Sequence, residues 1–168
     1  MATIGKRALE VAKTVSGNSP FTLDFQEAVT QTFKKGALLT FDAAGRLTEA
    51  GADPTRIVGV AAEAGHSYSA TSTTNTCKVW VANEDTIFVG NVSGSSVTAL
   101  TDIGGRYGVV LASGLWHVDK TDGRIVGGTA ANARVLVVDL DSRDAIGDTN
   151  GRVHFTILSD FNVLTGTS

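Results

Sequence analysis

The sequence is poor in the residues that usually build metal sites and covalent cross-links. It has a single cysteine, Cys77, which excludes an intrachain disulfide. Cys77 lies in a strand-like pattern, where a lone thiol behaves as a small buried apolar residue. The three histidines, His66, His117 and His154, are far apart in the chain. This spacing contains no zinc-binding motif, so neither a metal ion nor a cofactor is expected.

Charged residues are also scarce. They make up 18% of the chain, below the roughly 25% that is usual for a soluble domain. Either partners cover part of the surface, or neutral Thr, Ser and Gly residues take the place of charges. The net charge is −3, and no basic run is longer than Lys6-Arg7 or Lys34-Lys35. Binding to nucleic acid is therefore not expected, because phosphate contacts need clustered Lys and Arg.

Long apolar runs are missing as well. The sequence has no apolar stretch of about 18 residues, so no membrane-spanning helix is expected. The first residues, 1–15, contain no apolar core of the length that a signal peptide requires. Together with the single thiol, these features predict synthesis and folding in a reducing cytoplasm.

Catalytic signatures are absent from the sequence. It has no Gly-x-Ser-x-Gly elbow, and Gly104–Gly108 lacks the Lys-Ser/Thr and the following helix of a phosphate loop. Asp141–Gly151 does not alternate oxygen ligands as a calcium loop does, and we interpret it as a solvated loop. Asp119–Gly123 is interpreted as a hairpin turn. No catalytic, cofactor-binding or metal-binding residue is predicted, and the protein is not expected to be an enzyme.

Strand-like segments dominate the rest of the chain. They recur about every ten residues and are separated by Gly, Asn and Asp, a spacing that favours an antiparallel all-β barrel or sandwich. Residues 1–20 are predicted to form an extended N-terminal arm before a β-domain of residues 21–168. Within the arm, Ala8–Val15 has the spacing of a short helix, and a frayed terminus without a role is the alternative. The strands after Arg106 are either an elaboration of one barrel or a second small lobe.

The stretch Lys34–Gly65 has the clearest local signals. It predicts a hairpin in the order strand, turn and strand: Ala37–Phe41, Asp42–Gly45 and Arg46–Thr48. A buried strand, Arg56–Ala61, follows after a loop of small residues. Gly59 interrupts this strand at a cost in stability, which predicts close packing against the backbone there.

In its order of elements, this stretch resembles the β-barrel core of the head decoration (cement) proteins of tailed bacteriophages. The shared order is Gly, a short apolar strand, Asp-x-x-Gly, a loop of small residues and Ile-Val-Gly-Val-Ala. The resemblance implies a β-tulip-like barrel that binds the major capsid protein on the exterior of the virion. It further implies a protein made in the host bacterial cytoplasm that forms a homotrimer, with a dimer as the variant.

Under this interpretation, apolar residues near the N-terminus contact the capsid or a neighbouring subunit. The predicted contact residues are Ile4, Leu9, Val15, Phe21, Leu23 and Phe25. The last three alternate with polar residues on one face of a predicted half-buried strand. Their alternative is packing inside their own barrel.

Two other function classes remain open at this point. A carbohydrate-binding or tail-associated adhesion domain would use exposed aromatic side chains beside polar loops. The two interpretations can be distinguished by the positions of Trp80, Trp116 and Tyr107. An exposed coplanar pair of these side chains would favour sugar binding, and their burial would favour a structural role. A hydrolase would require a cleft that brings one histidine within hydrogen-bond reach of a nucleophile.

Overall fold

The computed structural model describes residues 1–94, 96–121 and 132–163. The strands in chain order are β1 (Glu10–Thr14), β2 (Thr22–Gln26), β3 (Leu38–Phe41), β4 (Leu47–Glu49), β5 (Gly59–Ala61), β6 (Thr76–Val81), β7 (Thr86–Asn91), β8 (Arg106–Ala112), β9 (Leu115–Asp119), β10 (Val135–Leu140) and β11 (Arg152–Ile157). Two 3-10 helices, Leu100–Asp102 and Ser159–Phe161, are each one turn long.

These strands form two antiparallel sheets that pack face to face as a sandwich. One sheet has the order β1-β7-β11-β10-β8-β9, and the other has the order β2-β6-β5-β3-β4. Both sheets supply the same buried core, which includes Leu38 and Leu39 from β3, Phe88 from β7 and Phe155 from β11. The predicted all-β class is confirmed, in its sandwich form.

The strands after Arg106 belong to the same body as the first half of the chain. β8, β9, β10 and β11 complete the sheet that also contains β1 and β7. Their apolar residues join the one core described above. Within the described residues, this segment therefore elaborates a single sandwich and does not form a second lobe.

The hairpin predicted between Ala37 and Thr48 is confirmed as β3 and β4. In the turn, the Oδ1 atom of Asp42 accepts hydrogen bonds from the backbone N–H groups of Ala44 at 2.8 Å and Arg46 at 2.9 Å. Gly45 has a φ of +76°, a conformation that L side chains rarely adopt. The turn predicted from the Asp-x-x-Gly sequence is therefore confirmed, with the Asp42 side chain as the hydrogen-bond acceptor at its start.

Close packing at Gly59 is confirmed as well. A Cβ atom on Gly59 would lie 2.1 Å from the backbone oxygen of Trp80 and 2.9 Å from Cγ1 of Val79. Both residues belong to β6, with which β5 pairs. Gly59 is thus required because the neighbouring strand occupies the space that any side chain would need.

The prediction of a short helix over Ala8–Val15 is wrong. Residues Glu10–Thr14 form β1, which pairs with β7 so that Glu10 lies beside Val89 and Thr14 beside Thr86. A helix of two turns is unstable alone, whereas pairing with β7 gives Glu10–Thr14 backbone partners along one edge, with an irregularity between Val11 and Lys13.

Leu9 anchors this N-terminal segment to the core. Its side chain is only 2% exposed. A Cβ atom on Gly90 would lie 2.4 Å from Cδ2 of Leu9, and one on Gly36 would lie 2.6 Å from the backbone oxygen of Leu9. Gly90 therefore leaves open the slot that the Leu9 side chain fills, and Gly36 leaves room for the Leu9 backbone.

The first residues are also hydrogen-bonded to the body. The backbone N–H of Ala2 donates to Oδ1 of Asp148 at 2.7 Å, and that of Ile4 donates to the carbonyl of Thr149 at 2.8 Å. Together with β1 and Leu9, these bonds attach residues 2–14 to the sandwich at several points, while most side chains of residues 1–20 remain exposed. The reason for the attachment is that the edge of β7 offers a partner within the same chain.

Candidate interaction surface

The free edge of β2 presents apolar side chains to solvent. In the described residues β2 pairs only with β6, so its other edge has unpaired backbone groups. Phe21 is 51% exposed and Leu23 is 36% exposed. Leu23 lies opposite the fully buried Val79, at the margin of the core where no further strand covers it. An unpaired edge with exposed apolar residues readily pairs with another chain.

Val15, which shortly precedes Phe21 in the chain, is a further exposed apolar residue. It is 71% exposed and follows directly after β1. Its backbone N–H donates to the carbonyl of Asp85 at 2.8 Å, and the next residue, Ser16, donates its N–H and hydroxyl to the carboxylate of Asp85. The chain is therefore held in place at the point where Val15 faces solvent. We call Val15, Phe21 and Leu23 the edge surface.

The six residues predicted as contacts do not share one environment. Val15, Phe21 and Leu23 are exposed, whereas Ile4 and Phe25 are partly buried and Leu9 is in the core. The prediction is therefore wrong for Leu9, because its side chain fills its own core. Phe25 packs edge-on against Phe41, with ring centroids 5.3 Å apart, as its alternative of packing inside the fold expected.

A second exposed apolar group was missed by sequence reasoning. Its members are Met1, Val97, Leu100 and Ile146. Three short segments meet there, because the N–H of Gly147 donates to the carbonyl of Thr98 and the N–H of Thr149 donates to the carbonyl of Ala2. These residues lie singly and outside the strands, so no alternation of polar and apolar residues marks them in the sequence.

The three aromatic residues that discriminate sugar binding do not form an exposed platform. Trp116 and Tyr107 are each 1% exposed. The Nε1–H of Trp116 donates to Glu49 at 3.1 Å, and the hydroxyl of Tyr107 donates to Asp102 at 2.9 Å. Only Trp80 is partly exposed, with the Lys35 ammonium 5.3 Å from its ring centroid.

The acidic segment Asp141–Gly151 is an ion-pair network, so its interpretation as a solvated loop is wrong. Asp141 is 3% exposed and forms an ion pair of 2.5 Å with Arg143. Asp144 pairs with the buried Arg152 at 2.7 Å. Hydrogen bonds from Arg143 lower the pKa of Asp141 to about 2. The Asp141 and Asp144 carboxylates thus form ion pairs with arginines, and sequence spacing alone did not show which arginine each one contacts.

An open cleft of about 380 Å³ lies beside this network and contains Ser142, His154 and Asp141. The Nδ1 atom of His154 is buried and has no hydrogen-bond partner. Burial lowers the pKa of His154. Because Asp141 is held by Arg143 and does not orient the imidazole, the cleft lacks the nucleophile, base and acid arrangement that a hydrolase requires.

The structure brings together Glu27, His66 and Cys77, which we call the Glu-His-Cys cluster. One ligand atom from each lies within 4.8 Å of the others. The Glu27 side chain is fully buried, and its carboxylate contacts Nδ1 of His66 at 2.9 Å and accepts the backbone N–H of His66 at 2.8 Å. Burial, followed by the charges of Glu63 and Glu27, raises the pKa of Cys77 to about 12.

The expectation of no metal motif overlooked this cluster for a physical reason. Glu27 and His66 are 39 residues apart in the chain and meet only through the tertiary fold. In the structure, the pairing of β2 with β6 places Glu27, the residue after β2, near Cys77 at the start of β6.

Comparisons with protein-family models, curated proteins and solved structures gave no match. In the part of the chain that the structure describes, no helix has the length and hydropathy to cross a membrane.

Proposed function

We propose that this protein is a capsid decoration protein, which binds the exterior of a phage head and reinforces contacts between major capsid subunits. Its resemblance in Lys34–Gly65 to such proteins motivates the class. The observation that carries the proposal is the edge surface, with Phe21 51% exposed just before β2 and Leu23 36% exposed on β2, an edge strand among the described residues. A protein that works by surface contact needs such a feature and needs no catalytic cleft.

The contact element in this proposal is a preformed edge. Because the N-terminal segment is packed on its own sandwich, β2 and Val15 take the role first expected of a free arm. A strand of the capsid or of another copy would add to β2, with Phe21 and Leu23 entering apolar pockets beside it. A preformed edge loses little conformational entropy on binding.

The energetic contribution of each copy is modest. Full burial of a Phe or Leu side chain contributes about 1.5–3 kcal/mol. Phe21 and Leu23 retain 51% and 36% exposure, so covering both contributes about 2 kcal/mol, or about 30-fold in affinity. Repetition over many sites of a shell, and over the subunits of a homotrimer, would multiply this effect.

The binding test uses undecorated expanded heads from the phage that encodes the chain. Wild-type protein, the double variant Phe21→Thr with Leu23→Thr, and the control Leu111→Thr are mixed with heads and assayed by co-sedimentation and electron microscopy. Leu111 is 40% exposed on β8 and lies outside the edge surface, so it controls for the loss of one exposed leucine side chain such as Leu23. Threonine keeps the strand propensity at all three positions.

We expect wild-type and control to coat the heads and the double variant to bind about 30-fold more weakly. A bare head at saturating wild-type protein would refute the decoration function. Equal binding by the double variant would leave decoration standing and refute the edge surface. The predicted homotrimer is tested by sedimentation of the free protein. A monomer at tens of micromolar would contradict that prediction.

A further inference from the structure

We propose that Glu27, His66 and Cys77 bind a zinc ion, with a carboxylate oxygen, the Nδ1 atom and the Sγ atom as ligands. This site goes beyond the decoration function and does not depend on it. Three different donor types converge from three separate segments onto a volume that spans at most 4.8 Å between ligand atoms. Thiolate, imidazole and carboxylate are the usual protein ligands of zinc.

The fold builds this position before any ion arrives. Glu27 directly follows β2, and its N–H donates to the carbonyl of Asn75 at 2.8 Å. Asn75 is two residues before Cys77, which lies in β6. His66 comes from the loop after β5. On either side of it, the N–H of Gly65 donates to Phe33 and the N–H of Ser67 donates to Gln31, both at 2.9 Å.

The present distances are close to those of a tetrahedral site. Zinc bonds of about 2.0–2.3 Å place neighbouring ligand atoms roughly 3.3–3.7 Å apart. The Nδ1 atom of His66 and the carboxylate of Glu27 are already 2.9 Å apart, and the widest pair in the cluster must close by about 1 Å. The His66 side chain, which is 37% exposed, can make this adjustment while the other two ligands stay in the sheet.

The chemistry of the cluster favours a soft cation. The Glu27 carboxylate is fully buried, and a buried anion is costly unless its charge is offset. The Sγ atom of Cys77 makes only a long hydrogen bond of 3.7 Å, to the carbonyl of Lys78. A zinc ion offsets the carboxylate and displaces the thiol proton, so that binding releases a proton to solvent.

Calcium and magnesium do not fit this donor set. Both prefer six or more oxygen ligands, whereas the cluster supplies one carboxylate, one imidazole and one thiol. Three protein ligands leave a fourth position, and His66 is the exposed member of the cluster. That position takes water or a side chain of another molecule.

The test uses the full-length protein after treatment with a chelator, and it needs no capsid. Zinc is titrated by calorimetry, and cobalt(II) is titrated by absorption as a spectroscopic substitute. We expect one zinc ion per chain and a thiolate-to-cobalt charge-transfer band in the near ultraviolet. Zinc should also raise the melting temperature, whereas calcium at the same concentration should not.

Four variants separate coordination from folding and from charge. Cys77→Ala, His66→Ala and Glu27→Gln each remove one ligand and should weaken zinc binding by more than the roughly 10–100-fold typical of an outer-shell residue. His66→Ala changes a partly exposed side chain and safeguards against a folding defect. The control Glu63→Gln removes one nearby charge, as Glu27→Gln does, but no proposed ligand.

Several results would overturn the site. Cobalt binding without the charge-transfer band, or with the band unchanged in Cys77→Ala, would show that the thiol is not a ligand. Equal loss of zinc affinity in Glu63→Gln and Glu27→Gln would show that Glu27 acts through its negative charge and not as a ligand. No stoichiometric zinc in the wild-type protein would refute the proposal and leave the capsid-binding test unaffected.

Discussion

The slot occupied by Leu9 gives the sharpest prediction about stability. Leu9→Ala removes a side chain that packs against Gly90 and that is 2% exposed. Replacing a buried leucine by alanine costs about 2–5 kcal/mol, as a transfer term plus a cavity term. Leu9 lies beside an edge strand that can partly collapse, so we expect the lower half of that range, about 2–3 kcal/mol.

For a protein of this size, each kcal/mol shifts the melting temperature by roughly 2–4 °C. Leu9→Ala should therefore lower the melting temperature by about 4–12 °C in circular dichroism scans. The control is Val15→Ala, which changes a residue that is 71% exposed and should alter stability by less than about 0.5 kcal/mol.

A second measurement distinguishes local release of the segment from global unfolding. If Leu9 holds β1 on the sheet, Leu9→Ala should speed cleavage by trypsin at Arg7 and Lys13 under native conditions, where the wild-type segment is paired with β7. Unchanged melting temperature together with unchanged cleavage would refute the claim that Leu9 anchors the N-terminal segment.

Two further predictions concern packing and pH. Gly59→Ala should lower the free energy of unfolding by more than about 1–3 kcal/mol, because the added Cβ would lie 2.1 Å from the Trp80 backbone oxygen. The free energy is measured by urea titration, and an unchanged midpoint would contradict that contact. Burial lowers the pKa of His117 below its usual 6.5. As the pH falls, His117 is therefore protonated in the unfolded chain before it is protonated in the folded protein, and the free energy of unfolding should decrease below about pH 6.5. The pKa of Asp141 falls from 3.8 to about 2, which adds a loss of about 2 kcal/mol between those pH values. Urea midpoints from pH 7 to pH 2 measure both, with His117→Gln and Asp141→Asn as the variants that should flatten the respective steps.

Local signals account for the parts of the fold that were correctly predicted. The turn at Asp42–Gly45 and the close approach at Gly59 each follow from residues within a few positions of one another. β1 was mistaken for a helix because Leu9, Ala12 and Val15 have helical spacing, whereas their actual environment is set by a distant strand. Propensity is a weak guide where tertiary pairing decides.

The same limit applies to the candidate sites. The exposed edge at Phe21 and Leu23 was visible as an alternating pattern, although its position at the end of a sheet was not. The Glu-His-Cys cluster and the ion pairs of Asp141 depend on which segments meet in space. No spacing rule within the chain contains that information.

The pairing of Glu10 with Val89 also orders events during synthesis. Among the described strands β1 comes first in the chain, but its partner β7 is made only after all five strands of the smaller sheet. Until then Leu9 has no slot to enter, since Gly90 forms that slot. β1 must therefore wait for β7, and the nascent chain pairs this strand late.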